Sequence, residues 1–237
     1  MVISLSILEY EPSLRDNVRN ISKLGSFRSI VELLGKEVVT SLHLDIIRED
    51  LIAGVEKFPV PLVKEIYASL KEMKPFQFHL MTKRPMYLIS EINRFINKEE
   101  RRGISIIIQR EAYSSEMNVL KDIEELKGYG YGVGICLDLP TPLQSLTSDI
   151  IEKVDFVLLM SVPMGRGGQR YSPLATQRIA KFHEAFPNAK IEVDGGINER
   201  TILEAKKAGA SRFVVGTYIT RSPNPINALN SLLDALT

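Results

Sequence analysis

The sequence predicts an α/β protein, a (β/α)8 TIM barrel, on three observations. Eight β-rich runs alternate with eight helical patterns along 237 residues. That alternation implies parallel strands with right-handed crossovers, and about 240 residues is the ordinary size of eight such units. Polar residues gather at the C-terminal tips of the runs, where barrels carry their chemistry. An open doubly wound sheet is the competing reading, but no Gly-x-Gly-x-x-Gly fingerprint follows the first strand. With no linker, low-complexity tract or composition shift, residues 1–237 read as one barrel domain.

The first strand is Val2–Leu8, and Pro12 with Ser13 opens a helix; residues 14–35 stay helical with a break at Gly25-Ser26. Glu37–Ile47 is the second strand. An irregular loop from Arg48 to Pro61 leads to a helix with Leu62, Ile66, Leu70 and Met73 on one face. Pro75–Met81 is the third strand, and Pro85 starts the next helix. The fourth strand, Ile104–Gln109, is β-branched through its centre, and a charged amphipathic helix covers about Ser114–Leu126. Tyr131–Leu139 is the fifth strand, with a helix from Thr141-Pro142 to near Val154. Asp155–Val162 is the sixth, followed by the loop Pro163–Pro173 and a helix burying Ile179, Phe182 and Phe186. The seventh strand, Ala189–Asp194, feeds a helix capped by Asn198 and stopped by Gly209. Arg212–Ile219 is the eighth, and the last helix, from Pro225, buries Ile226, Leu229, Leu233 and Leu236.

Hydrophobic residues make up 44% and charged residues 25%, the balance of a soluble globular protein. A net charge of +1 provides no overall field for nucleic acid or an anionic membrane, so neither is an expected partner. The one cysteine, Cys136, forms no intrachain disulfide, which suits a reducing cytoplasm as the expected location. Met1 to Leu8 is apolar but lacks a basic n-region, so it reads as a strand and not a signal peptide. No uncharged run is long enough to span a bilayer.

Chemistry is expected at the strand tips. The second strand ends Leu42-His43-Leu44-Asp45, and side chains two apart share a face. The leucines suit packing against helices, which turns His43 and Asp45 into the barrel mouth. By the same argument His79 and Met81 share a face on the third strand. Asp194 ends the seventh strand, just before Gly195-Gly196. Two imidazoles and two carboxylates suit one divalent ion of Zn²⁺, Fe²⁺, Mn²⁺ or Co²⁺. His183 lies in a polar helical run and reads as a surface residue. Three glycine motifs follow consecutive strands: Gly165-Arg166-Gly167-Gly168, Gly195-Gly196 and Gly216-Thr217. Glycines there let backbone amides approach a phosphate, as barrels commonly do after their last strands. Arg166 either adds charge to that pocket or is a solvated loop residue.

These residues resemble the ribulose-phosphate 3-epimerase family along nearly the whole chain. The resemblance is carried by Leu5-Ser6-Ile7-Leu8, His43-Leu44-Asp45-Ile46, His79-Leu80-Met81 and Gly134 through Pro142. It continues through Met160-Ser161-Val162, Gly165 to Gln169, Ile191 to Asn198 and Val215-Gly216-Thr217. It implies a barrel of the ribulose-phosphate-binding type and an isomerase of carbohydrate metabolism, in the pentose phosphate pathway. Such an enzyme interconverts ribulose 5-phosphate and xylulose 5-phosphate. Under it His43, Asp45, His79 and Asp194 look like metal ligands, and Asp45 and Asp194 like the acid/base pair. Ser6 and His79 look like substrate contacts; Gly165, Arg166, Gly167, Gly168, Gly195, Gly196, Gly216 and Thr217 look like the phosphate grip. The family's tendency to self-associate makes a homo-oligomer an expected state. The chain departs from the family pattern at Arg48 and Glu49 after the second strand, and at Gln109 where a histidine is usual. It departs again at Asp138-Leu139 and at Pro163-Met164. Those changes keep two alternatives open: a hexulose-6-phosphate 3-epimerase of the same chemistry, and a barrel that binds a phosphorylated ligand without turnover.

Overall fold

The computed structural model describes residues 2–236, so Met1, at the head of the first expected strand, and Thr237 lie outside it. Eight parallel strands close into a barrel in chain order. They are β1 Val2–Ser6, β2 Val39–Ile47, β3 Phe76–Met81, β4 Ile104–Gln109, β5 Gly132–Leu137, β6 Phe156–Met160, β7 Ile191–Asp194 and β8 Arg212–Val215. Pairing of β1 with β8 completes the ring.

Alternation along each strand splits the core in two. Leu42, Leu44, Phe78, Leu80, Ile106 and Val193 face outward and are wholly buried beneath the helices. Burial of each such side chain contributes roughly 1.5–3 kcal/mol. A smaller set, Ile107, Cys136, Phe156, Leu158, Met160 and Val214, packs inside the ring. Both faces of the sheet are covered, which is why the strands read as near-continuous apolar runs. The exceptions on the inner face, Ser4, Ser41, His43, Asp45, Gln77, His79 and Glu192, are buried polar residues.

Ten α-helices lie among the described residues: α1 Glu11–Arg15, α2 Gly25–Leu34, α3 Val60–Leu70, α4 Pro85–Ile92, α5 Glu116–Gly128, α6 Ser148–Lys153, α7 Pro173–Ala185, α8 Glu199–Lys207, α9 Thr217–Thr220 and α10 Pro225–Leu236. Proline opens α4, α7 and α10, where its missing N–H is not needed. Asn198 caps α8 by accepting from the N–H groups of Arg200 and Thr201 at 3.0 and 3.1 Å. Gly209, at φ 113°, ends that helix's turn.

The structure corrects several boundaries. The eighth strand does not run to Ile219; it ends at Val215, and α9 begins after Gly216. Val214-Val215 and Ile219 are apolar enough to look continuous, yet the backbone of Gly216 leaves the extended region at ψ −96°. The first strand ends at Ser6, and Leu8–Tyr10 is a single 3-10 turn. The fifth and sixth strands are shorter than expected, and the helix expected from Thr141 is a 3-10 turn, Leu143–Ser145, followed by α6. His183 is exposed, as expected. No helix among the described residues is long and apolar enough to cross a membrane.

Candidate active site

Register brings the polar tips together. Ser6 lies opposite His43, Asp45 opposite His79, and Met160 opposite Asp194. One ligand atom from each of His43, Asp45, His79 and Asp194 falls within 4.8 Å of all the others. Asp45 Oδ1 is the centre: His43 Nε2 stands 3.2 Å from it and His79 Nδ1 3.3 Å. Asp194 Oδ2 is 4.0 Å from His43 Nε2. Donors bound at about 2.1 Å to one ion sit roughly 3–4 Å apart, so this set could hold a divalent metal once its widest pairs draw together.

The far side of each imidazole is also held. His43 Nδ1 donates to Gln77 Oε1 at 2.9 Å, and His79 Nε2 donates to Gln109 Oε1 at 2.8 Å. Each amide oxygen thereby selects the tautomer whose other nitrogen turns a lone pair into the site. Gln77 is anchored in turn, its Nε2 donating to both oxygens of Glu192 at 3.1 Å. Ser4 Oγ, itself a partner of Ser41, donates to the same carboxylate at 2.9 Å. A buried chain thus runs from the barrel floor to His43. Gln109, which departs from the family pattern, serves here to orient His79.

Surroundings drive the two aspartates in opposite directions. Burial works against ionised Asp45, but His43 and His79 outweigh it and hold the carboxyl well below the usual range. For Asp194 burial dominates, the Asp45 charge adds to it, and the pKa rises from 3.8 to about 7. Burial opposes charge on His43 too, yet Asp45 and Asp194 together raise its pKa from 6.5 to about 9. Ser6 Oγ donates to the outer Asp45 oxygen at 3.0 Å.

Above the cluster lies a narrow cavity. Every expected phosphate residue lines it: Gly165, Arg166, Gly167, Gly168, Gly195, Gly196, Gly216 and Thr217. Ser6, Asp45, Asp194, Met81 and Met160 line it too, while His43 and His79 are fully buried beneath. Arg166 is exposed on the loop. The turn after β7 needs its two glycines: Gly195 and Gly196 have φ of 114° and 63°, and a Cβ on Gly196 would lie 2.3 Å from the Tyr171 nitrogen. Ser161 Oγ secures that turn by donating to the carbonyl of Asp194 at 2.7 Å and to that of Gly195.

The altered loops are built into the rim. Asp138 Oδ1 accepts from the N–H of Met164 at 2.8 Å, tying the end of β5 to the loop after β6. Arg48 is spent on backbone, donating to the carbonyls of Ile47, Lys57 and Phe58 at 2.9, 2.9 and 3.3 Å. It does not line the cavity. Sequence reasoning missed Gln77, Gln109 and Glu192 as supports, and Glu9 as a cavity residue. The only signal for the first three was a polar side chain on the inward register of an otherwise apolar strand.

A family model described as the ribulose-phosphate 3 epimerase family matches residues 21–220. A ribulose-phosphate 3-epimerase of Buchnera aphidicola is 31% identical over 92% of this chain and 91% of its own. The Schizosaccharomyces pombe ribulose-phosphate 3-epimerase is 26% identical over 90% of each chain. Among solved structures, a 3-hexulose-6-phosphate synthase from Salmonella typhimurium superposes with TM-score 0.67 at 14% identity, covering 100% of this chain and 98% of its own. A mutant tryptophan synthase alpha-subunit from Pyrococcus furiosus does so at 0.65 and 15% identity, covering 100% and 97%. At those identities the two structures speak to the barrel fold alone.

Proposed function

The chain belongs to the ribulose-phosphate 3-epimerase family, and from that premise we propose a metal-dependent isomerase that inverts C3 of ribulose 5-phosphate to give xylulose 5-phosphate. The observation that carries this reading is the convergence of two oppositely tuned carboxylates, from β2 and β7, on one set of metal donors.

His43, Asp45, His79 and Asp194 would hold the divalent ion, with Zn, Fe, Mn and Co all suited to the donors. When bound, the ion supplies positive charge opposite the oxygens of the planar enediolate, which lowers the barrier to removing the weakly acidic C3 proton. The residues do the rest. The phosphate lies against the amides of Gly195, Gly196 and Gly216 and the loop after β6, which fixes C3 between the two aspartates. Ionised Asp45, steadied by Ser6, takes the proton from one face. Asp194, whose burial beside Asp45 favours its protonated form before metal binds, gives one to the other face, and to carry that proton its carboxyl must be only weakly held by the ion. For the opposite epimer the roles exchange. Met81 and Met160 line the cavity with thioethers that exclude water from the planar intermediate.

Hexulose 6-phosphate is the second substrate to test, because the loop after β2 differs from the family and its Ile52 reaches loop 6. A Cβ on Gly165 would stand 3.1 Å from the Ile52 side chain. The experiment is incubation in D₂O with each sugar phosphate, with and without chelator, reading deuterium at C3. Exchange with ribulose 5-phosphate that needs added metal is the expected result. Exchange that survives complete metal removal would refute the metal role. No exchange with either sugar on metal-loaded protein would favour a barrel that only binds.

A further inference from the structure

The cavity already contains an anion of the protein's own. Glu9 sits in the turn after β1, with its side chain only 14% exposed. Its Oε1 accepts from Thr217 Oγ1 at 3.0 Å. Its Oε2 accepts from Arg221 Nε at 2.8 Å, and Arg221 Nη2 lies 2.6 Å from the same oxygen. Thr217 Oγ1 in turn accepts the N–H of Gly168 at 3.1 Å. The loop after β6 rests on this group: a Cβ on Gly167 would stand 2.5 Å from Glu9 Oε1, and one on Gly168 3.4 Å from Arg221 Nη1. Three segments, following β1, β6 and β8, therefore meet at one carboxylate.

A carboxylate and a phosphoryl group seek the same partners, a hydroxyl and a guanidinium fork among them. Glu9 holds both, and it lines the same cavity as Gly195, Gly196 and Gly216. We propose that Glu9 is an internal anion that latches the phosphate end of the site before ligand arrives, and that the incoming phosphoryl group takes Thr217 and Arg221 over from it. The proposal rests on the reading of the β6, β7 and β8 loops as the phosphate end. Two anions cannot share this hydroxyl and fork without repulsion, so the carboxylate must yield. Arg221 can follow the ligand, since its side chain is 64% exposed. Arg221 is thereby assigned as a phosphate contact, and Glu9 as a residue that sets how tightly the phosphorylated ligand is held.

The test is inhibition of ribulose 5-phosphate turnover by inorganic phosphate, in wild type, Glu9→Gln and Arg221→Gln. Glutamine at position 9 keeps the size and the acceptor for Thr217 but drops the charge. The expected result is a fall of about 5-fold in both phosphate Ki and KM for Glu9→Gln, and a rise of about 5-fold for Arg221→Gln. Hydrogen exchange gives a readout independent of turnover: amides of residues 165–169 should exchange faster in phosphate-free Glu9→Gln than in phosphate-free wild type, and saturating phosphate should remove the difference. An unchanged or raised Ki in Glu9→Gln overturns the proposal and leaves Glu9 a strap that only holds the loop. If phosphate does not compete in the wild type, the phosphate-end reading falls as well, and the proposal with it.

Discussion

At the scale of single residues, Asp45 and Asp194 have the same side chain and pKa values shifted in opposite directions. Asp45 faces two imidazoles, whereas Asp194 faces burial and a neighbouring carboxylate. Asp194→Asn keeps the shape and loses the exchangeable proton. It should lower C3 exchange by about 10²–10⁴-fold, the range for a positioned acid or base, while inorganic phosphate still competes. A near-normal exchange rate in that variant would remove Asp194 from the chemistry. Gln109 supports a subtler prediction. Its oxygen serves His79, but its Nε2 is buried with no nitrogen or oxygen acceptor and only the weak acceptor Cys136 Sγ beside it. Gln109→Leu removes that poorly paired donor but leaves the buried His79 Nε2–H without an acceptor, so unfolding free energy should fall by about 1–3 kcal/mol. Metal affinity should also fall, about 10–100-fold, because His79 loses its orienting partner. Titration calorimetry with Zn²⁺ or Mn²⁺ beside a urea melt separates the two effects; unchanged affinity would show that His79 holds its orientation unaided. The four proposed ligands were legible because alternation turns His43, Asp45 and His79 inward and Asp194 stands at the tip of its strand. Glu192 was not, because its partner Gln77 is 115 positions away and only closure of the ring brings β7 and β3 within reach.

Elements with strong periodicity were legible, and those shaped by tertiary contacts were not. The eight strands and the proline-opened helices follow from local pattern. The β2 loop does not. It folds back so that Ile47 and Lys57 pair in an antiparallel bridge, and Arg48 braces the return by donating to three carbonyls. The next residue, Phe58, is fully buried at φ 48°, a left-handed conformation that a bulky residue adopts only under constraint. Its N–H donates to buried Glu11 at 3.4 Å, and Lys57 Nζ donates to the other oxygen of that carboxylate at 3.1 Å. Nothing local in Arg48 to Pro61 announces this, since the partners lie before the second strand or across the bridge. Arg48→Ala should therefore destabilise the protein by about 1–3 kcal/mol, because the Phe58 carbonyl loses its donor and the return loses its brace while the Ile47 and Lys57 carbonyls keep only their mutual backbone bonds, with metal affinity nearly unchanged because Arg48 does not reach the cavity. Chemical denaturation beside metal titration checks it; a lost metal site with intact stability would place Arg48 in the chemistry instead.

For the whole molecule, the proposed ligands bind distant parts of the ring together. His43 and Asp45 come from β2, His79 from β3 and Asp194 from β7, so a bound ion would cross-link opposite walls of the barrel. The closed eight-stranded order was itself legible from the alternation, whereas the ionisation of its interior depends on how closely the walls approach. Without the ion, those charges make stability depend on pH. His43, with its folded pKa raised from 6.5 to about 9, contributes stability that is complete below 6.5 and lost as pH rises through 9. Asp194, raised from 3.8 to about 7, binds its proton more tightly folded than unfolded. Its effect therefore also declines as pH rises from about 4 to 7. Depressed Asp45 acts only in acid, where stability falls as its carboxylate is protonated. The metal-free protein should lose stability between pH 6 and 9. Metal binding needs His43 neutral and Asp194 ionised, so affinity rises over the same interval as protons leave. Stabilisation by a bound ligand grows with its concentration relative to Kd, by about 2.7 kcal/mol at a hundredfold excess. The rise in Tm on adding metal to chelator-treated protein should therefore be larger at pH 8 than at pH 6. Calorimetric scans at fixed metal concentration measure it, and a Tm increment equal at both pH values would mean that His43 and Asp194 are not the groups the ion displaces protons from.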